Sequence, residues 1–595
     1  MNRWPLAMQT ILFALVAFTA PTPTASAYWG ATGTGSGIGH TDTMPTAAQP
    51  TTSVAGSAVT LDLNQSTIGG LHLGAIGGGY EIRRYPAAGG AASTPNGACG
   101  SLVTGSSAAI GCIETPAPPG EWVYRATPVL FGWTGVEGSP SAVTSVAPES
   151  PANVSATPQP LGVVALDWDS SPGATGYNIY RSTTAGVFNY GTPLNGSTPI
   201  VGNTYSDTSA ASGTTYFYVV RALVIGGSGQ QIESNDSYEI SALSDSTSPT
   251  AVTIASPPAL LRGSITLSGS ASDTVSGVME ITFQYKPSAG STWLTGCLAT
   301  AAPFNCVFDT TSTADGLYDF RAVASDHAGN ATASAVVTAR LIDNTAPAAT
   351  MTNPGSHIRA SVTLSGSSSD GGSGVTASTI EYRALGGGAW TTACSSATAS
   401  VSCRFNSTSV LEGDYEMRVT STDAAGNVGY SAIWSPVRID NTRPTAADVQ
   451  TVNNGTLGRP EAGDLVIYTF SEEMQPSTIL AAFTGASMNV TVRLNNQANN
   501  DRLFIYDAAN VTVAGIGELR TGRNYVTANR TFSNSTIAMV GNTLTLTLGT
   551  ASGAVNTVTN NATLRWRPGT VALDLAGNRM RNTAGVESGA ADPNF

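Results

Sequence analysis

With 595 residues, a formal charge of -13 and only 11% charged residues, the chain is too long for a single core and too acidic for a nucleic-acid partner. Phosphate binding needs clustered Lys and Arg, and here Lys286 is the sole lysine. Gly, Ser, Thr, Ala and Val dominate, which favours strands and turns over helices.

Residues 1–27 are expected to form a secretory signal peptide. Arg3 supplies a short positive start and residues 11–20 (ILFALVAFTA) an apolar stretch too short to cross a bilayer. Ala25, Ser26 and Ala27 give a small-x-small cleavage signature before Tyr28. No later apolar run approaches the roughly 18 residues of a spanning helix, so the chain is expected not to span a membrane after cleavage. The closing GAADPNF shows no hydrophobic tail or basic cluster, and no anchor is expected there. Residues 28–46 are rich in Gly and Thr and read as a flexible lead-in.

A first domain is expected over 47–146, with strands at 57–63, 79–85 and 120–129. The alternation of Trp122, Tyr124 and Ala126 turns one face inward, and Trp133 is expected to cover one end of the core. A second domain is expected over 147–245, with strands at 163–169, 176–182 and 213–223. The third and fourth, 246–345 and 346–442, are one unit repeated after 97 residues. Trp293 recurs as Trp390, Cys297 as Cys394, Cys306 as Cys403, Tyr318 as Tyr415, Asp326 as Asp423 and Asn330 as Asn427. A fixed period of this size marks tandem copies of one domain. The joins IDNTAP (342–347) and IDNTRP (439–444) each carry a proline that stiffens the link and stops the preceding strand. The fifth domain, 443–595, is longer, and its Asn- and Thr-rich stretch 495–560 resists placement.

These residues resemble known modules. Trp168, Tyr177, Ile179 and Tyr216 match strands B, C and F of a fibronectin type III domain, with Trp168 as core tryptophan and Tyr216 in the tyrosine-corner role. The first domain resembles it more loosely through Tyr80, Ile82, Arg83 and Trp122. The repeat is similar to bacterial Ig-like modules of surface and secreted proteins. Residues 463–479 and 571–578 resemble the Ig-like module of some bacterial S-layer proteins. The resemblance implies an all-β fold: tandem immunoglobulin-like and fibronectin III β-sandwiches in an elongated array. Lys–Asn isopeptide links, known from some bacterial surface sandwiches, cannot be general with one lysine.

Six cysteines fit an oxidising compartment and fall in three close pairs, Cys99 with Cys112, Cys297 with Cys306 and Cys394 with Cys403. Each pair lies within one domain, so local disulfides are expected, as staples across a hairpin or loop. Closing a loop of about 10 residues stabilises by roughly 2–3 kcal/mol. The four histidines, His40, His72, His327 and His357, are scattered without zinc-ligand spacing.

The motif D-x-A-G-N occurs at 326–330, 423–427 and 574–578. One reading is a tight hairpin in which Gly takes positive φ and Asp accepts backbone N–H groups. The other is calcium. In such a sandwich the resemblance places the B–C loop, the F–G loop and the entering linker at one end. That gathers Asp245, Asp273 and Asp326, then Asp343, Asp370 and Asp423, then Asp440, Asp574 and either Glu472 or Glu473. Oxygen ligands without His or Cys suit calcium, although no EF-hand spacing occurs.

Catalysis has little support: no nucleophile has a base and orienting group in view. The adjacent Glu472 and Glu473 point to opposite faces of a strand, whereas glycoside hydrolysis needs facing carboxylates. Trp29, Trp133 and Trp434 are candidates for stacking on sugars, with core capping as the alternative. The expected function is therefore structural or adhesive, as a spacer at the cell surface or outside the cell, with a protein or glycan as partner. An accessory carbohydrate-binding protein and a secreted hydrolase with its site in the last domain are the other readings.

Overall fold

The computed structural model describes residues 26–30 and 38–595. The expected signal peptide falls almost wholly outside the described residues, as do the side chains of Trp29 and His40. Ser26–Gly30, which begins in the expected signal peptide and runs into the expected lead-in, pairs antiparallel with Ile38–Asp42.

Buried apolar side chains form five separate clusters along the chain. In the second, Ser155–Pro158, Val164–Asp167 and Thr204–Asp207 make one sheet, and Gly176–Ser182, Thr214–Ile225, Gln231–Glu233 and Ile240–Ser244 the other. Period-two alternation sends Val164 and Leu166 from one sheet against Tyr177, Ile179, Tyr218 and Val220 from the other. Trp168 is fully buried and meets Tyr177 edge-on at 5.3 Å. The Tyr216 hydroxyl accepts from Ala211 N at 3.3 Å, which ties the crossing between sheets. This is a fibronectin III-like sandwich.

The third and fourth units have the same topology. In the third, Thr250–Ile254, Ser264–Ser272 and Asn305–Asp309 face a six-stranded sheet built around Gly316–Asp326 and Val278–Pro287. In both copies a tyrosine hydroxyl donates to a carbonyl four residues back, Tyr318 to Ala314 at 2.9 Å and Tyr415 to Leu411 at 2.8 Å. All three disulfides form as paired in sequence. Cys297 lies on the larger sheet and Cys306 on the smaller, so the staple crosses between sheets, and Cys394–Cys403 repeats this.

In the first unit, Gly79–Pro86 pairs with Gly120–Leu130 across a layer of Thr51–Ala55, Ala58–Asn64 and Ala109–Glu114. Buried Glu114 holds the Arg84 guanidinium and accepts from the Tyr124 hydroxyl at 2.7 Å. Trp133 corrects the expectation that it covers the core: it is 56% exposed. The chain reverses through Phe131 and Gly132, both at positive φ, and the reversal breaks the inward phase that Tyr124 and Ala126 set.

In the fifth unit all named strands join one ten-stranded sheet that wraps a single core. Residues 495–560 supply its middle, including Arg502–Asp507, Arg530–Val540 and Thr543–Thr547. The sheet's two ends meet where Asp448 of its first strand accepts from Ser588 N at 2.8 Å, just past its last strand. Hydrogen bonds between units run only between consecutive ones among the described residues, so the sandwiches form an end-to-end array.

Candidate cation centres at the domain joins

Each D-x-A-G-N segment is a tight turn at the end of a long strand. Gly329, Gly426 and Gly577 sit at φ 83, 91 and 88, where a side chain is strained. The leading aspartate binds the turn's own amides: Asp326 Oδ1 accepts from Asn330 N at 2.9 Å, Asp423 Oδ1 from Asn427 N at 2.7 Å and Asp574 Oδ1 from Asn578 N at 2.7 Å. The structural reading of the motif therefore accounts for its Asp and Gly.

The asparagine does something else. Its amide donates to the carbonyl of the linker aspartate that enters the unit: Asn330 to Asp245 at 2.9 Å, Asn427 to Asp343 at 2.9 Å and Asn578 to Asp440 at 3.0 Å. The linker residues divide between the units they join. Ile342 and Ile439 are buried in the preceding core. Asp343 reaches forward to accept from Ser373 N at 2.6 Å. Asn344 reaches back, accepting from Gly263 N at 2.8 Å, and Asn441 does the same from Ala360 N at 2.7 Å.

These contacts draw the carboxylates together. Asp245, Asp273 and Asp326 form one trio, Asp343, Asp370 and Asp423 a second, and Asp440, Glu472 and Asp574 a third, each with one oxygen per residue within 4.8 Å of the others. Glu472, not Glu473, completes the last set. None of these carboxylates has an Arg, Lys or His nitrogen within 4 Å among the described residues. Donors compensate in part. Burial pushes Asp245 up, but bonds from Thr247 and Ser276 bring it below its ordinary value. The third trio goes the other way. Burial, then the facing charges of Asp440 and Asp574, push Glu472 up to about 8, and Asp574 is raised, chiefly by burial. Three close anions with all-oxygen donors fit a hard divalent cation of the calcium kind.

The third trio borders a cleft of about 370 Å³ between the fourth and fifth units, lined by His357, Asp414, Arg438, Asp440, Glu472 and Glu473. His327 contacts the Gly277 carbonyl at 3.2 Å and lies outside the trios. Trp434 is 38% exposed and donates to Met351 O at 3.1 Å. No helix among the described residues is long and apolar enough to cross a membrane.

No protein-family model matches the chain. It is 42% identical over 77 residues to an amylopullulanase of Thermoanaerobacterium saccharolyticum, covering 13% of this chain and 6% of that protein. It is 29% identical over 225 residues to chitinase A1 of Niallia circulans, covering 37% of this chain and 28% of that protein. The chain thus spans under a third of the length of these curated relatives. Among solved structures it is similar to a fibronectin III-like protein from Clostridium thermocellum, at 34% identity over 16% of this chain and 91% of that one, with a TM-score of 0.14.

Proposed function

We propose that the chain is an exported, non-catalytic spacer, a rod of sandwiches that holds an adhesive or enzymatic partner away from a surface, with calcium stiffening its joins. The observation that carries this reading is the clasp repeated at three successive joins: an asparagine amide on a linker carbonyl beside three carboxylates with no cationic partner. Such joins restrict the angle between units, which a spacer needs and an isolated enzyme does not. The three disulfides support export.

Small-angle scattering tests it. Five units of about 33 Å each span about 165 Å with a radius of gyration near ~48 Å, against about 25 Å for a compact body of this length. A value near the compact one sinks the spacer reading. If a chelator changes neither the melting temperature nor the scattering length, the calcium part falls.

A second reading is an accessory role beside polysaccharide hydrolysis. It is favoured by the relatives' names, an amylopullulanase and a chitinase, and by the partial match to each. Binding on a glycan array that is lost in Trp434→Ala establishes it, and a blank array removes it.

A further inference from the structure

The three joins carry the same number of carboxyl groups but not the same number of donors. At the second-to-third join, Asp245 Oδ1 accepts from Thr247 N at 2.8 Å and Oδ2 from Ser276 N at 3.1 Å. Asp273 Oδ1 accepts from Gly277 N at 2.8 Å, and both oxygens of Asp326 are engaged by Asn330. At the third-to-fourth join the pattern repeats through Ser373 N and Gly374 N, leaving Asp370 Oδ1 buried without a partner. These donors come from one loop, DTVSG at 273–277 and DGGSG at 370–374, which folds its amides onto the acids.

The fifth unit has no such loop. Its acid comes from the end of a strand, Leu465–Phe470, followed by Ser471 and Glu472. Asp440 keeps the local bond from Thr442 N at 3.1 Å but has no counterpart of the Ser276 or Ser373 amide. Glu472 faces Asp440 and Asp574, each with an oxygen within 4.8 Å of the others. Asp574 is 1% exposed, its Oδ1 is taken by Asn578 N, and its Oδ2 has no partner. A buried carboxylate oxygen without a donor keeps its full desolvation penalty, which the fold does not offset from its own groups.

We propose that the fourth-to-fifth join is the cation-operated one: a divalent ion of the calcium type, held by Asp440, Glu472 and Asp574, fixes the last unit to the rod, while the second-to-third join closes on its own amides and the third-to-fourth, with loop amides but Asp370 Oδ1 left open, stands between them. This rests on the cation reading of the joins and ranks them. The ion's outer face opens on the cleft, where water completes the six to eight oxygens that calcium takes. Removing the ion releases the fifth unit as a hinged end and leaves the upstream rod straight.

The test is calorimetric titration of the full chain with calcium chloride alone, paired with scattering in chelator. The expected result is one tight site. Asp574→Asn, which keeps shape and removes charge, weakens it about tenfold or more, and so does Glu472→Gln, whose side chain holds no backbone amide and which serves if the first variant misfolds. Asp273→Asn leaves it unchanged. In chelator, hydrogen exchange rises at Asn441 and Asn578 but not at Asn344 and Asn427. Three sites of equal affinity overturn the ranking and leave the calcium-stiffened rod standing. Tight binding that survives both Asp574→Asn and Glu472→Gln overturns the placement. No binding at all overturns both this proposal and the calcium part of the reading above.

Discussion

Asn330→Ala probes the clasp directly. Asn330 is 4% exposed and its side chain makes three hydrogen bonds, to Asp245 O at 2.9 Å, to Asp326 Oδ2 at 2.8 Å and from Leu161 N at 2.8 Å. Alanine leaves Asp326 Oδ2 and Leu161 N without this partner at once, while Asp245 O keeps its bond from Gly162 N at 3.0 Å. Each orphaned buried group costs roughly 1–3 kcal/mol, and water reaching the join recovers part of that, so the expected loss is about 2–4 kcal/mol. For a unit of this size that lowers its unfolding transition by roughly 10–20 °C. Asn427→Ala likewise leaves two groups unpaired, Asp343 O and Asp423 Oδ2, and costs about the same. Asn330→Asp is worse than alanine, because it aims a second carboxylate at Asp326 and at a carbonyl. Scanning calorimetry of the full chain in chelator reads all three. A loss below about 0.5 kcal/mol for Asn330→Ala, or aspartate more stable than alanine, refutes the clasp as a stabilising element.

Replacing both Cys297 and Cys306 with alanine costs about 2–3 kcal/mol by the loop-closure argument, and the same pair in the fourth unit costs the same; denaturant unfolding of each double variant checks this. The second and fifth units respond oppositely to acid. In Asp207 burial raises the pKa, but hydrogen bonds from Ser209 and Arg181 bring it below its ordinary value. Its stabilisation is present above the unfolded value of about 3.9 and is lost as pH falls through the folded one. Asp464, Asp501 and Glu587 are raised, mainly by burial. Their contribution is full below the unfolded values of about 3.9–4.3 and is lost as pH rises through the folded ones. Calorimetry from pH 7 to about 4 should therefore move the fifth unit's transition up, and further acid should bring the second unit's down.

Much of this was legible because two signals were independent. The 97-residue period gave the repeated unit, and alternation gave the strands, as in residues 176–182, which form Gly176–Ser182. The acid trios followed from the loop ends of the sandwich. The clasp was not legible, since an asparagine in a tight turn already has a local reason to be there. Nothing in its neighbours says that its amide reaches a carbonyl 84 or 85 residues earlier. The choice between Glu472 and Glu473 did have a signal. Val466, Tyr468 and Phe470 point inward, and Glu472 continues that phase past the strand end. Trp133 shows the limit of the same rule, which fails once a hairpin intervenes.

The linker I-D-N-T assigns each residue to a different neighbour: isoleucine to the core behind, asparagine to the loop behind, aspartate to the unit ahead. A link so divided has few free torsions, because rotating one residue breaks contacts on both sides. The first-to-second join lacks this division. There Glu121, at the start of the strand Gly120–Leu130, accepts from Ser228 N at 3.0 Å and from its hydroxyl at 2.9 Å, a contact between a strand end and a surface turn. Opening it orphans no buried carboxylate and no linker carbonyl, so it costs less than opening the joins downstream. On the proposed reading, bending is therefore expected to concentrate at the first join in any solvent and at the last in chelator, with the segment between them as the stiff part of the rod.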